Sequence, residues 1–346
     1  MKIKSIIIGL LAGLLFGIAT PLSKILLSDF NNFQLAGLLY FGAAISFSPF
    51  IIKNRKIEFS ALKQTGKKLH LTGVIVFGGI LGPLFLMYGL KTANAMSVSI
   101  WLNMEMVATA ILGVLLFKDY LDRYTVIGVL LTLSAGIIIS IQEPSSGVVS
   151  AVFILFACIF WGLDNHLSAL IDGVSPQTIT FVKGVIGGIT NFTIGMFLNN
   201  WQIQLNLIPE ALIIGVLSYG ISIVLYVISA QNLGATRSQI LFSTAPFWGI
   251  FVAWIILNEP LNLIVLISFS ILVFGIIFTN KASHGHPHYH KGLVHIHQHN
   301  HDDGHHNHIH EGVNKKTFKH SHLHEHNEIK HTHKHYPDLH HRHGHE

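Results

Sequence analysis

Apolar residues run through most of this chain in long stretches, and short polar clusters interrupt them. A helix that crosses a bilayer needs about 20 mostly apolar residues. Ten such stretches fit, at 4–26, 32–52, 71–90, 97–117, 125–141, 149–171, 178–198, 211–230, 238–257 and 261–279. The interruptions are polar, as at Ser28-Asp29-Phe30-Asn31-Asn32 and Gln142-Glu143-Pro144-Ser145-Ser146. Alternating strands of about ten residues, the mark of a membrane barrel, are absent. The pattern predicts an all-α integral membrane protein with ten transmembrane helices. The first stretch opens Met1-Lys2-Ile3-Lys4. It reads as a span and not as a signal peptide, because no small-residue cleavage site follows and the apolar run is too long.

Composition agrees. Charged residues make up 11% of the chain and hydrophobic ones 50%, whereas soluble proteins carry about 25% charged residues. No G-x-S-x-G elbow, HExxH or P-loop occurs, so an enzyme is not expected. The single Cys158 allows neither an intramolecular disulfide nor a CxxC site. Cytoplasmic loops of membrane proteins collect Lys and Arg. Lys2, Lys4, Lys53, Arg55, Lys56, Lys63, Lys67, Lys68, Lys118, Arg123 and Arg237 fall on one side of the ten spans, against Lys91 and Lys24 on the other. The N-terminus is therefore expected in the cytoplasm, and an even number of spans returns the C-terminus there. The protein is expected to be a multi-pass protein of the cell membrane.

The two halves of the apolar body match each other. Phe16-Gly17-Ile18-Ala19-Thr20-Pro21-Leu22-Ser23 aligns with Trp161-Gly162-Leu163-Asp164-Asn165-His166-Leu167-Ser168. Glu105 to Asp119 spans the same distance as Ala245 to Glu259, and each acid precedes an apolar helix containing glycine, Gly136 or Gly275. Five helices per repeat is an odd number, so the second copy enters the bilayer inverted, a recurring plan of secondary transporters. The expected organisation is a first five-helix repeat over 1–141, a second over 142–280, and a tail over 281–346.

Trp101–Ile139 and Leu241–Phe278 resemble the two EamA domains of the drug/metabolite transporter superfamily. The family pattern there is a Glu/Thr–Pro pair, an apolar helix, a Gly-Glu or similar acidic end, and a glycine-containing helix. The resemblance covers nearly all of 1–280. It implies ten helices around a central cavity and transport of small metabolites, often export. Met106 departs from it where Pro is common, although Pro246 keeps that residue in the second copy. Lys118-Asp119 replaces Gly-Glu. Glu105, Asp119, Pro246 and Glu259 are carried over as pattern positions.

Three charges lie well inside predicted spans: Glu105, Asp164 and Lys183. Unpaired, they cost on the order of 10 kcal/mol together, comparable with the stability of a whole domain. Asp164 and Lys183 sit at similar depth on consecutive antiparallel helices, at 1.5 Å rise per residue. An ion pair between them is expected, either locking two helices or facing the cavity. Trp101, Glu105 and Thr109 recur every four residues, so they share one face, a cavity-lining stripe. Glu105 is there to bind a cation, carry a coupling proton or make a neutral interhelical hydrogen bond. Asn165 and His166 are further cavity candidates, although three successive residues cannot all face one cavity. Ser218, Ser222 and Tyr226 either line the cavity or bond across helices. Gly184 and Gly188 read as a close-packing face. Pro21, Pro83 and Pro246 are candidate kinks.

The tail is of another kind. It holds 23 of the 25 histidines, with no apolar periodicity, and disorder is expected. It is also duplicated. One block contains His284, His286, His288, His290, His295, His297 and His299. The other contains His320, His322, His324, His326, His331, His333 and His335. His301 and the group His305, His306, His308, His310 follow the first block; His340, His341, His343 and His345 follow the second. Imidazole suits zinc, nickel and cobalt, and an H-x-H spacing puts both rings on one side of an extended chain. The tail is therefore expected to bind such divalent ions. Eight Lys/Arg against seven Asp/Glu leave it near neutral, so nucleic acid is not an expected partner.

These features suit a secondary transporter in the lipid bilayer, moving a small molecule or ion and carrying a metal-binding tail linked to nickel, cobalt or zinc transport. The alternative is an organic metabolite exporter whose tail only buffers or senses metal. A membrane-tethered metal buffer is a third reading. A homodimer is compatible with all three, and no cofactor is required.

Overall fold

The computed structural model describes residues 2–117, 123–171, 174–233, 241–281, 284–290, 293–299, 320–326 and 329–335. Every described element of the body is helical. Eight helical stretches of 18 to 33 residues are long and apolar enough to cross a membrane, and two shorter apolar helices, Ala245–Ile256 and Leu263–Phe278, follow them.

The first stretch is broken. α1 (Lys2–Gly17) ends where α2 (Ala19–Leu26) begins, four residues before a proline. Pro21 has no N–H for the Gly17 carbonyl, and its ring crowds that oxygen. α3 (Asn32–Gln64) starts on a capping box: the Asn31 side chain accepts from the Gln34 N–H at 2.8 Å, and the Gln34 side chain accepts from the Asn31 N–H at 3.2 Å. α3 kinks at Asn54 (φ −106°, ψ 16°), just past the apolar stretch at 32–52, and runs on as a polar extension.

The third crossing is α4 (Lys68–Gly73), a π-helical segment (Val74–Leu81) and α5 (Gly82–Thr92). The eighth repeats this plan with α11 (Ile208–Ile214), a π segment (Gly215–Ile221) and α12 (Ser222–Leu233). Both π segments lie on one sequence pattern, Gly73-Val74-Ile75-Val76-Phe77-Gly78 and Gly215-Val216-Leu217-Ser218-Tyr219-Gly220. Segments of this kind are frequent at functional sites.

The fourth crossing, expected to be continuous, breaks at Leu102-Asn103 between α6 (Ala95–Trp101) and α7 (Met104–Phe117). A second break, at Ser243-Thr244, precedes α13 (Ala245–Ile256), which carries Pro246 in its first turn. The remaining helices are α8 (Arg123–Ser140), α9 (Ser145–Ala169), α10 (Pro176–Leu198), whose first turn is capped by Ser175, and α14 (Leu263–Lys281).

Without a hydrophobic force between helices in lipid, close approach at small residues holds a bundle together. α3 packs on α10, α8 on α14, α5 on α9 and α1 on α12 and α13. Gly184 abuts the Tyr40 carbonyl and Ala44, Gly188 abuts Phe41, and Gly9, Gly13 and Gly17 form one face of α1 against Leu241, Thr244 and Ala245. The close-packing reading of Gly184 and Gly188 matches these contacts.

In the tail, four segments are extended: β1 (His284–His290), β2 (Leu293–His299), β3 (His320–His326) and β4 (Ile329–His335). β1 pairs antiparallel with β4, and β2 with β3. The register sets His284, His286 and His288 opposite His335, His333 and His331. It likewise sets His295, His297 and His299 opposite His324, His322 and His320. H-x-H alternation has the period of a strand. His301, His305, His306, His308, His310, His340, His341, His343 and His345 lie outside the described residues, as does Asp119.

Candidate functional site

The intramembrane charges gather around α9. Asp164 and Lys183 are 5% and 8% exposed, and the Lys183 Nζ donates to Asp164 Oδ2 at 2.6 Å. The Ser168 hydroxyl donates to the other carboxylate oxygen at 3.1 Å. Gly78 packs on that carboxylate so closely that a Cβ would collide with it. The ion pair predicted from helix depth therefore forms.

The π segment explains the next contact. In π geometry the Gly82 N–H bonds to the Phe77 carbonyl. The donor that would follow for the Gly78 carbonyl is residue 83, a proline without an N–H. The Tyr40 hydroxyl donates to Gly78 O instead. The Asn191 amide covers the neighbouring Ile80 carbonyl at 3.2 Å.

Glu105 is half-buried on the first turn of α7, and one of its oxygens accepts from the exposed Asn165 Nδ2 at 2.8 Å. Its carboxylate lies within electrostatic range of Asp164 and Lys183, and also of Tyr40 and Tyr226. An aromatic wall adjoins these groups. Phe16 meets Trp161, Tyr219 and Phe242 at ring centroid distances of 6.3, 6.1 and 5.2 Å. Tyr40 meets Tyr219 at 5.5 Å, and Tyr226 meets Phe242 at 5.0 Å. Acid, base, amide and phenol from several crossings thus share one neighbourhood.

Several sequence expectations need correction. Trp101 does not share a stripe with Glu105: its indole donates to Gly136 O at 3.0 Å and Ser140 Oγ at 3.2 Å, toward α8. The break at Leu102-Asn103 destroys the four-residue register that the stripe assumed. Thr109 does face α9, but through its carbonyl, which bonds His166 Nε2 at 2.9 Å, while its hydroxyl is buried without a partner. Ser218 and Ser222 donate to the Leu15 and Ala12 carbonyls of α1 at 2.6 and 2.8 Å. They fasten helices and do not offer hydroxyls to a cavity. Asp164 points to α10, whereas Asn165 and His166 both reach α7.

Sequence reasoning missed Tyr40, Trp161 and the aromatic wall. The repeated Gly-Val-x-x-aromatic-Gly pattern followed by Pro83 was their available signal. Among the described residues, no group of three or more His, Cys, Asp or Glu is arranged to hold a metal ion.

A second polar cluster closes one end of the bundle, where short connectors join crossings. The Glu259 carboxylate accepts from the Ala95 and Met96 N–H groups at 2.7 and 2.8 Å, at the start of α6. Glu143 accepts from the Asn94 side chain at 3.0 Å and its backbone N–H at 3.3 Å. Lys24 donates to the Leu90 and Ala93 carbonyls at 2.8 Å, at the end of α5.

Comparison with known proteins gives a consistent result. The family described as the EamA-like transporter family matches twice, over residues 3–141 and 148–281. A protein described as an uncharacterized transporter, from Methanothermobacter thermautotrophicus strain Delta H, is 28% identical over 286 residues, which is 77% of this chain and 82% of that one. One solved crystal structure superposes with a TM-score of 0.59 at 13% identity, over 80% of this chain and 95% of its own. At that identity the likeness is one of fold alone.

Proposed function

Because the chain belongs to the EamA-like transporter family, we propose that it is a secondary transporter of a small solute. In this reading ten crossings form two five-helix repeats of opposite orientation, with the solute bound between them. The pairing of crossings supports it. Exchanging each crossing with its counterpart five places on turns third-on-sixth into eighth-on-first, second-on-eighth into seventh-on-third, and fourth-on-sixth into ninth-on-first. Each of these pairs is packed. The two family matches divide the chain at the same place.

The observation that carries the reading is the polar set inside the apolar bundle. Glu105 with Asn165, and Asp164 with Lys183, are paired in a setting where an isolated charge costs about 2.5–3.5 kcal/mol. Such groups are retained in membranes where they serve a solute or proton path. Glu105 and Asn165 form the face open to the solute. Asp164, Lys183 and Tyr40 hold the floor behind it, fixing the π segment at Gly78. Lys and Arg distribution supports cytoplasmic termini.

The tail, in this reading, binds zinc, nickel or cobalt on the cytoplasmic side. Tethered imidazoles raise the local metal concentration there.

The test is cellular nickel, cobalt and zinc content under metal challenge, comparing the full chain, a truncation after Asn280 and Glu105→Gln. If the full chain changes the content of one metal and Glu105→Gln abolishes that change, the body carries metal. If metal content follows only the presence of the tail, the tail is a buffer and the solute is organic.

A further inference from the structure

The connector between α5 and α6 is only a few residues long, yet charges from three separate parts of the chain converge on it. Lys24 at the end of α2 takes the last carbonyls of α5. Glu143, after α8, takes the Asn94 backbone and side chain. Glu259, after α13, takes the first two N–H groups of α6. Each charge meets the helix end of opposite partial charge, and Lys24 interacts electrostatically with both acids.

Glu259 is aimed by its neighbour. Asn258 has φ 53°, a left-handed conformation that Asn tolerates better than most residues. It ends α13, and the Glu259 N–H returns to the Ala253 carbonyl at 3.4 Å. Gln142 and Asn262 extend the seal: Asn262 Nδ2 donates to Gln142 Oε1 at 2.7 Å, and Gln142 Nε2 donates to Ser97 Oγ at 3.1 Å. An open cleft lined by Asn94, Gln142, Glu259 and Asn262 lies over the junction. Beneath it, Ser97 is 0% and Ser99 2% exposed, and Ser99 packs on Gly249 of α13.

We propose that Glu259 is a latch that shuts this end of the solute path by joining the start of α6 to the end of α13. The seam beneath it opens when the carboxylate leaves the Ala95 and Met96 N–H groups. Both helices are short segments beyond a break, so each can tilt without moving the rest of its crossing. The proposal rests on the transport reading, but its test needs no solute.

The experiment uses the full chain in lipid nanodiscs, with Cys158→Ala and one reporter cysteine at a time: Ser97→Cys, Ser99→Cys or Ser222→Cys. The probe is a membrane-impermeant polyethylene-glycol maleimide, and the readout is labelling rate. Losing two charge-assisted hydrogen bonds shifts an opening equilibrium by about tenfold or more. Glu259→Ala is expected to accelerate labelling at both Ser97→Cys and Ser99→Cys by that factor, with Ser222→Cys unchanged. Glu259→Gln keeps one acceptor oxygen and should accelerate both less; it carries the test alone if the alanine variant does not fold. Faster labelling at Ser97→Cys without Ser99→Cys would mean a frayed connector, and overturns the latch. Equal acceleration at Ser222→Cys would mean general loss of packing, and overturns it as well. No change at either upper reporter does the same.

Discussion

Two seams cross this bundle, and they are built differently. Along α3 and α10 the backbones nearly touch: a Cβ on Gly37 would lie 2.5 Å from the Phe192 nitrogen. The seam is bolted at both ends. Asn31 and Gln34 donate to the Gly195 and Gln202 carbonyls at 2.8 and 2.7 Å. At the other end Ser175 and Thr178 donate to Glu58 at 2.8 and 2.6 Å. Along α6 and α13 the helices are 7 and 12 residues long. They meet where Gly249 faces the Ser99 hydroxyl, and a single loop carboxylate joins one end. The first seam has the form of a fixed spine. The second has the form of a hinge that a side chain holds shut.

Substitutions test how far that contrast goes. Lys183→Met leaves Asp164 buried and unpaired behind the spine. It should cost about 3–5 kcal/mol, read as a lower thermal or denaturant midpoint, and adding Asp164→Asn should restore most of it. Restored transport in that double variant would make the pair structural; restored folding without transport would place it in the path. Gly37→Ala sets a methyl group against backbone that cannot rotate aside. A loss of about 1–3 kcal/mol or more is expected, with helix separation visible as faster proteolysis. Glu58→Gln weakens two charge-assisted hydrogen bonds at one end of the spine, and about 1.5–3 kcal/mol bounds the loss. Gly249→Ala in the second seam meets the Ser99 hydroxyl first, with the Ser99 Cβ at 3.0 Å and the Gly17 carbonyl at 3.1 Å behind it. The hydroxyl can turn, so a shift of less than about 1.5 kcal/mol is expected. If Gly249→Ala cost as much as Gly37→Ala, the second seam would be a spine too.

Eight of the ten expected spans were legible because length and polarity alone decide what enters a bilayer. The Asp164–Lys183 pair was legible because helical rise is fixed, so depth can be counted from loop to loop. The Trp101–Glu105–Thr109 stripe was not, since periodicity assumes an unbroken helix and Met106 removed the proline that would have announced the break. Ser218 and Ser222 sit in and beside a π segment, where four-residue spacing no longer defines a face, and their hydroxyls bond α1 carbonyls. The repeat pattern singled out Glu259, but its partner Ala95 lies 164 residues away in the chain, so the pattern did not give its role. The Tyr40–Gly78 contact was half legible: Pro83 shows that a carbonyl loses its donor, but not which side chain replaces it.

The connector held by Lys24, Glu143 and Glu259 also sets an order of assembly during synthesis. Ala95 precedes Glu259 by 164 residues. At about 5–20 residues per second, the α6 N-terminus waits roughly 8–30 s for its carboxylate. Through that interval the two N–H groups at the start of α6 lack the cap they have in the finished protein. A chain cut short before Glu259 would keep that exposed end permanently, giving membrane quality control a feature by which to distinguish incomplete chains from complete ones.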